Sequence, residues 1–160
     1  MKMYNLKRKQ VLPITLEEAW EFFSSPKNLG KITPSDMGFD IQYLSGGKTT
    51  YAGQIIAYKI KVLPGIRMNW ITEITHVKDL QYFIDEQRFG PYKLWHHQHH
   101  FKGTKDGVEM IDEVNYVIPF GVLGRLVHWL FVGRQVNAIF NYRHKVLASF
   151  FDTRNNLSTH

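Results

Sequence analysis

Residues 94–118, with the sequence LWHHQHHFKGTKDGVEMIDEVNYVI, decide the fold. Two runs rich in aromatic and β-branched residues flank Lys105-Asp106-Gly107, where the glycine provides the backbone angles of a tight reversal. Strand-forming residues on both sides of so short a turn predict two antiparallel neighbours, at about 91–102 and 108–118, because parallel strands need a long crossover.

The same alternation of strand-like runs and turns extends toward the N-terminus. Further turns are predicted at Ser45-Gly46-Gly47-Lys48, Leu63-Pro64-Gly65 and Phe89-Gly90-Pro91. They separate predicted strands at about 38–44, 52–62, 66–78 and 81–89, and one more strand is predicted at about 3–12. The whole pattern predicts an antiparallel meander of about seven strands.

Helical patterns lie on either side of the six consecutive strands. Thr15-Leu16-Glu17-Glu18 has the residues of a capping box, and Ser25-Pro26 predicts a second helix with Ser25 as its cap. The longest helix is predicted from Val122 to about Phe151. Its apolar positions are expected to form one stripe: Leu123, Leu126, Val127, Leu130, Val136, Ile139, Phe140, Val146, Leu147 and Phe150. Its basic residues are expected to cover the rest of its surface: Arg125, Arg134, Arg143 and Lys145.

This order of elements predicts an α+β fold. A curved antiparallel sheet of about seven strands would wrap around the long C-terminal helix, with two short helices after the first strand. The long helix has the only apolar stripe large enough to cover one face of such a sheet.

Length and composition limit the class of protein. A chain of 160 residues and 18.8 kDa fits a single domain over 1–160, and 44% hydrophobic with 21% charged residues excludes a disordered chain. The lack of cysteine excludes disulfides, thiolate nucleophiles and cysteine-ligated zinc. A polar N-terminus and short apolar runs predict a soluble, cytoplasmic protein without stable membrane insertion.

The charge indicates no nucleic-acid partner. Twenty basic residues outnumber fourteen acidic ones, which gives a net charge of +6. Nucleic-acid binding would require a basic face with interleaved aromatic residues or a known reading module, and the sequence has neither. The excess charge is interpreted as a solvated surface.

Several short strings occur in an order that resembles a known superfamily over essentially the whole chain. They include Ile32-Thr33-Pro34, Gly90-Pro91-Tyr92, Trp95-x-His97-x-His99-x-Phe101 and Pro119-Phe120-Gly121. The sequence resembles the START and birch-pollen-allergen-like (SRPBCC) superfamily, and within it a subgroup of uncharacterised bacterial ligand-binding proteins.

The resemblance implies a helix-grip fold with a cavity between the sheet and the long helix. It further implies binding or carriage of a hydrophobic small molecule that is lipid-like, aromatic or polyketide-like. The superfamily also includes polyketide cyclases and aromatases, so a cyclase, aromatase or dehydratase working in the same cavity is the alternative.

The histidine-rich strand holds the most unusual candidates. Alternate residues of a strand share a face, so His97 and His99 point the same way as Trp95 and Phe101. Asp112 on the next strand and Asp85 on the preceding one lie on comparable faces. The expected ligand-binding residues are Tyr58, Trp70, Phe83, Asp85, Trp95, His97, His99, Asp112, Tyr116 and Phe140.

Three roles compete for the polar cluster. Its histidines and carboxylates could satisfy one another and orient a ligand, or His97, His99 and Asp112 could act as catalytic acid and base. They could also bind a divalent metal. At most two of the four clustered histidines converge on one face and no cysteine is available, so we predict no specific metal and no cofactor.

A third hypothesis concerns the surface. Trp129 and Phe131 lie between Arg125 and Arg134, which would suit a membrane surface or a partner protein about as well as core packing. A homodimer stays open as well.

Overall fold

The computed structural model describes residues 1–63 and 65–157. Pro64, in the expected Leu63-Pro64-Gly65 turn, and 158–160 lie outside the described residues. Seven strands are found: β1 (Tyr4–Leu12), β2 (Asp40–Leu44), β3 (Ile55–Leu63), β4 (Ile66–Lys78), β5 (Tyr82–Phe89), β6 (Leu94–Thr104) and β7 (Gly107–Val117). The helices are α1 (Leu16–Phe23), α2 (Gly121–Val127) and α3 (Gly133–Leu157).

The strands form one antiparallel sheet in the order β1-β7-β6-β5-β4-β3-β2. The hairpin from β6 to β7 is paired from Leu94 opposite Val117 to Thr104 opposite Gly107, so the stretch that predicted the fold is a continuous ladder. Its turn glycine, Gly107, has φ +122, and a side chain there would collide with the backbone of Leu12 and Pro13. The predicted curved sheet gripping a C-terminal helix is confirmed.

The segment between β1 and β2 is only partly α-helical. Thr15 and Glu18 form the predicted capping box of α1, because the Thr15 hydroxyl accepts from the Glu18 amide and the Glu18 carboxylate accepts from the Thr15 amide. The second predicted helix is a 3₁₀ segment, Pro26–Ile32, and the Ser25 side chain makes no capping hydrogen bond there. A further 3₁₀ turn covers Ser35–Met37.

The long C-terminal helix, predicted from Val122 to about Phe151, is interrupted between α2 and α3. A π-helical turn, His128–Val132, joins α2 to α3. The His128 Nε2 lies 2.9 Å from the Tyr116 hydroxyl, and its ring stacks on Tyr4 at a centroid distance of 3.5 Å. These two contacts fix the turn to the sheet. They account for its position, because a π-helical turn contains one residue more than an α-helical turn and needs stabilising contacts.

Two apolar clusters lie between the inner face of the sheet and the helices. One joins strands β3, β4 and β7 to the first turns of α3, with Val136 and Phe140 at its centre. The other joins α1 to Leu147 and Phe151 near the other end of α3. Between them, at one turn of α3, lies the buried Arg143.

The predicted apolar stripe of the long helix is therefore wrong in part. Leu123, Leu126 and Leu130 are exposed, while Arg143, expected on the surface, is only 7% exposed. None of the helices among the described residues has the length and hydrophobicity to cross a membrane.

Candidate functional site

A cavity of about 150 Å³ lies between the inner face of the sheet and α3. Its walls are mostly apolar and come from the sheet, the 3₁₀ segments and α3. They include Phe39, Ile56, Tyr58, Ile60, Trp70, Ile74, Tyr92, Val136, Ile139 and Phe140. The acidic and basic side chains of the lining lie together, at what we call the polar end of the cavity: Asp85, His97, His99 and Arg143.

Strand register brings the polar side chains together. Asp85 on β5 is directly opposite His97 on β6, and Asp112 on β7 is directly opposite His99. A register shift in the β4–β5 ladder lies next to Asp85, between Ile74 and His76. Such a bulge changes the direction of neighbouring side chains, and the Asp85 carboxylate reaches both histidines.

Each imidazole lies between the two carboxylates. The Asp112 Oδ1 is 3.0 Å from His97 Nε2 and 3.0 Å from His99 Nδ1. The Asp85 Oδ2 is 2.8 Å from His99 Nε2 and 3.4 Å from His97 Nδ1. Because the two rings are 3.8 Å apart, the four groups form one closed cluster.

The pKa values of the four side chains are shifted in different directions. Burial opposes charge on all of them, but hydrogen bonds from both histidines and the charge of Arg143 hold the pKa of Asp112 well below its ordinary value. The pKa of Asp85 is lowered too, by the two histidines acting against burial. Burial and the neighbouring His99 lower the pKa of His97, whereas hydrogen bonds to both carboxylates outweigh burial and raise the pKa of His99.

Both His99 nitrogens contact carboxylate oxygens, which can only accept hydrogen bonds, so each nitrogen carries a hydrogen and His99 is an imidazolium. Two carboxylates are balanced by the His99 imidazolium and by the Arg143 guanidinium, whose Nη1 is 3.7 Å from Asp112 Oδ1. His97 is then neutral. Its Nε2 must carry the hydrogen, because it bonds to a carboxylate that can only accept.

The unprotonated His97 Nδ1 faces the cavity end of the cluster. It points toward Asp85, which lines the cavity, and away from Asp112, which does not. Nδ1 and the Asp85 carboxylate are both acceptors, 3.4 Å apart with no proton between them. This pair is suited to accept a hydrogen bond from a ligand, or to remove a proton from one.

Arg143 is the functional candidate that the sequence reasoning missed. Its guanidinium carbon lies 4.9 Å from the centre of the Phe140 ring, and its buried Nε has no hydrogen-bond partner within the described residues. Helical spacing could have identified it. Arg143 follows Phe140 by three residues and precedes Leu147 by four, so it lies on the buried stripe of α3.

Thr72 is a polar residue of the cavity wall outside the charged cluster. Thr72 Oγ1 accepts a hydrogen bond from Trp70 Nε1 at 3.0 Å and lies 3.4 Å from the Tyr58 hydroxyl, whose pKa is raised by burial. Gln87 positions Tyr92 by two hydrogen bonds between its side-chain amide and the Tyr92 backbone.

Eight of the ten expected ligand-binding residues line the cavity: Tyr58, Trp70, Phe83, Asp85, Trp95, His97, His99 and Phe140. Asp112 lies behind the histidines and does not line it. Tyr116 does not line it either, because its hydroxyl bonds to His128, and burial raises its pKa to about 12.

Three groups of the cluster approach the geometry of a metal site. Ligand atoms of Asp85, His97 and His99 lie within 4.8 Å of one another. The negative charge of the two carboxylates is already balanced by the His99 imidazolium and Arg143. A bound cation would have to displace the protons of the histidines. The absence of a specific metal stays a prediction.

Comparison with solved structures identifies the fold. Protein TTHA0849 of Thermus thermophilus matches with a TM-score of 0.66 and 14% identity, over 91% of this chain and 95% of that one. The protein Ara h 8.0201 matches with a TM-score of 0.60 and 13% identity, over 92% and 99%. The di-domain aromatase/cyclase StfQ of the steffimycin biosynthetic pathway matches with a TM-score of 0.70 and 10% identity, over 96% of this chain and 52% of that one.

The chain therefore shares its fold with these solved structures, and the predicted helix-grip fold is confirmed. This chain spans about half the length of StfQ. No protein-family model and no curated protein sequence matches it.

Proposed function

We propose that the protein binds a hydrophobic small molecule with one polar end in the cavity between the sheet and α3. The carrying observation is the cavity itself, which is lined by apolar and aromatic side chains and has charged groups at one end only. A ligand pocket has this composition, because apolar walls provide most of the binding free energy and a few polar groups fix the orientation.

The polar end determines how such a ligand lies. His97 Nδ1 and the Asp85 carboxylate accept hydrogen bonds, so a hydroxyl or phenol group of the ligand fits there. The unpartnered Nε of Arg143 would donate to a carbonyl or second hydroxyl oxygen. The aromatic walls favour a lipid-like, aromatic or polyketide-like body.

Purification without delipidation tests the proposal. Native mass spectrometry and solvent extraction should recover a hydrophobic molecule, and an apolar fluorescent dye should bind stoichiometrically and compete with it. Ile139→Trp, on the cavity wall, should abolish dye binding because the larger side chain fills the space. The matched control Ile66→Trp, at an exposed position of β4, should bind dye like the unmodified protein.

A second comparison tests the polar end. Asp85→Asn should weaken binding of a phenolic ligand by about tenfold, since a hydrogen bond to a charged acceptor is lost. Glu86→Gln, the next residue of β5 and a partner of His96 and Arg88, should leave binding unchanged. The proposal is wrong if the dye fails to bind the unmodified protein or binds Ile139→Trp equally well.

Acid–base catalysis in the same cavity is the second candidate. The buried bond between His97 Nε2 and Asp112 supports it, because a carboxylate behind a neutral imidazole is the arrangement of a general base. With a polyketide-like substrate, His97→Ala and Asp112→Asn should each lower turnover by about 10²–10⁴-fold. Unchanged ligand binding without turnover of any such substrate would leave binding alone as the function.

A further inference from the structure

Seven large apolar side chains are exposed within twelve residues of the chain. They are Phe120, Val122, Leu123, Leu126, Trp129, Leu130 and Phe131, and we call them the apolar face. Phe120 is 79%, Val122 72% and Trp129 70% exposed. Contiguous apolar surface of this kind is rare on a protein that functions free in water and marks an interaction site.

The apolar face exists because this helical segment turns small or few side chains toward the sheet and most of its large apolar side chains toward solvent. In α2 and the π-helical turn, the inward positions are occupied by Gly124 and Val132, while Leu123, Leu126 and Leu130 point outward. A side chain at Gly124 would collide with the Pro119 carbonyl, so the helix lies as close to the preceding loop as its backbone allows. The contacts of His128 with Tyr4 and Tyr116 hold this orientation.

Basic residues surround the apolar face. From Val114 to Phe151 the sequence contains no aspartate or glutamate, while Arg125 and Arg134 lie within or beside the face. A groove next to Phe120 is lined by Lys2, Lys93 and Arg125. Among the residues described, none of these four cations has a carboxylate within ion-pair distance.

We infer that the apolar face docks on the surface of an anionic lipid bilayer. Its side chains would enter the boundary between headgroups and acyl chains, and Lys2, Lys93, Arg125 and Arg134 would contact the phosphates. A second copy of the chain fits the face less well, because a two-fold interface would place these unpaired cations against their own copies. The apolar segment from Phe120 to Phe131 is too short to cross a bilayer, which agrees with a helix that lies on its surface.

The apolar face lies next to one wall of the cavity along the same helical region. Gln135, Val136 and Ile139 line the cavity and follow Phe131 directly along the helix. Four residues of helix span about 6 Å, so a docked face would bring this cavity wall close to the bilayer. If the cavity holds a hydrophobic ligand, docking places it where such a ligand is dissolved.

Vesicle co-sedimentation of the full chain tests the inference. The protein should sediment with vesicles of phosphatidylcholine and phosphatidylglycerol at low salt, and less with added salt or with phosphatidylcholine alone. The double variant Leu126→Asn/Trp129→Gln should bind at least about tenfold more weakly, because two apolar side chains that enter the bilayer on docking are lost. The control Ile66→Asn/Phe89→Gln, at exposed apolar positions of β4 and β5, should bind like the unmodified protein.

Charge reversal tests the basic residues separately. Arg125→Glu should weaken binding by about tenfold, whereas Lys105→Glu, in the β6–β7 turn, makes the same change in net charge and should have little effect. Equal losses in both would assign the attraction to net charge and overturn the docking site. Absence of sedimentation at low salt, or a concentration-dependent dimer in ultracentrifugation that Leu126→Asn/Trp129→Gln abolishes, would overturn it too.

Discussion

Polar side chains usually lie on the surface of a protein and large apolar ones inside it. The polar end of the cavity and the apolar face break this rule in opposite directions. At the cavity, Asp112, two histidines and an arginine are buried inside an apolar core, and the Asp85 carboxylate is partly buried beside them. From Phe120 through α2 and the π-helical turn, seven large apolar side chains are left in water. Each arrangement costs stability unless something compensates it.

The compensation differs between the two regions. The buried charges compensate one another, because His97 Nε2 and both His99 nitrogens have a carboxylate oxygen within 3.0 Å and Arg143 balances the remaining charge. The apolar face has no such partner within the described part of the chain. A change in the first region should therefore affect folding, and a change in the second should affect only what the protein binds.

The largest effect is expected from Asp112→Asn. The substitution keeps the shape of the side chain but removes the negative charge between His99 and Arg143. The free energy of unfolding should fall by about 3–5 kcal/mol, since an uncompensated charge is left buried. Urea denaturation followed by circular dichroism measures this.

Glu113→Gln is the matched control for Asp112→Asn. Glu113 is the next residue of β7, on the opposite face, and pairs with Lys7 at 2.9 Å on the surface. Exposed pairs of this kind contribute less than about 1 kcal/mol. Equal effects of the two substitutions would show that the buried cluster is not held by charge balance.

The difference between the unmodified protein and Asp112→Asn should depend on pH. Because the folded-state pKa of Asp112 is depressed, its carboxylate contributes stability that is present above its unfolded pKa of about 3.9. That contribution is lost as the pH falls through the lower folded value. Denaturation curves from neutral to acid pH should show the difference shrinking, and a constant difference would contradict an ionised Asp112.

The two histidines should titrate on opposite sides of the ordinary imidazole pKa. The pKa of His99 is raised, so its charged form contributes stability below its unfolded pKa of about 6.5, and this is lost as the pH rises through the folded value. The pKa of His97 is lowered, so its contribution has the opposite sign. NMR titration should resolve the two values in the unmodified protein and find them closer in Asp112→Asn. Coinciding titrations in the unmodified protein would contradict a neutral His97.

Alternation and turns were enough to predict the sheet. Period-two alternation placed His97, His99, Asp85 and Asp112 on one face, because strand geometry fixes which side chains are neighbours. The seven strands lie close to their predicted bounds for the same reason. Local patterns do not specify a diagonal contact such as His99 with Asp85, which depends on the bulge opposite β5.

The helical half was predicted less well. Helical spacing predicts that most apolar positions from Val122 to Phe151 fall on one stripe, but the π-helical turn at His128–Val132 changes which residues face inward. Arg143 was assigned to the surface by residue type, although its spacing places it inward. Tertiary contacts, here His128 with Tyr116 and Arg143 with Asp112, decide both points.

The smallest effect on folding is expected at the apolar face itself. Leu126→Ala and Leu147→Ala are the same substitution in the same helical region, but Leu126 is exposed and Leu147 is completely buried. Leu147→Ala should lower the free energy of unfolding by about 2–5 kcal/mol, because a cavity forms between α3 and α1. Leu126→Ala should change it by less than about 0.5 kcal/mol, as an exposed position does. If denaturation finds a loss at Leu126 close to that at Leu147, the apolar face is already covered in the free protein, and its docking on a bilayer would first require that cover to be removed.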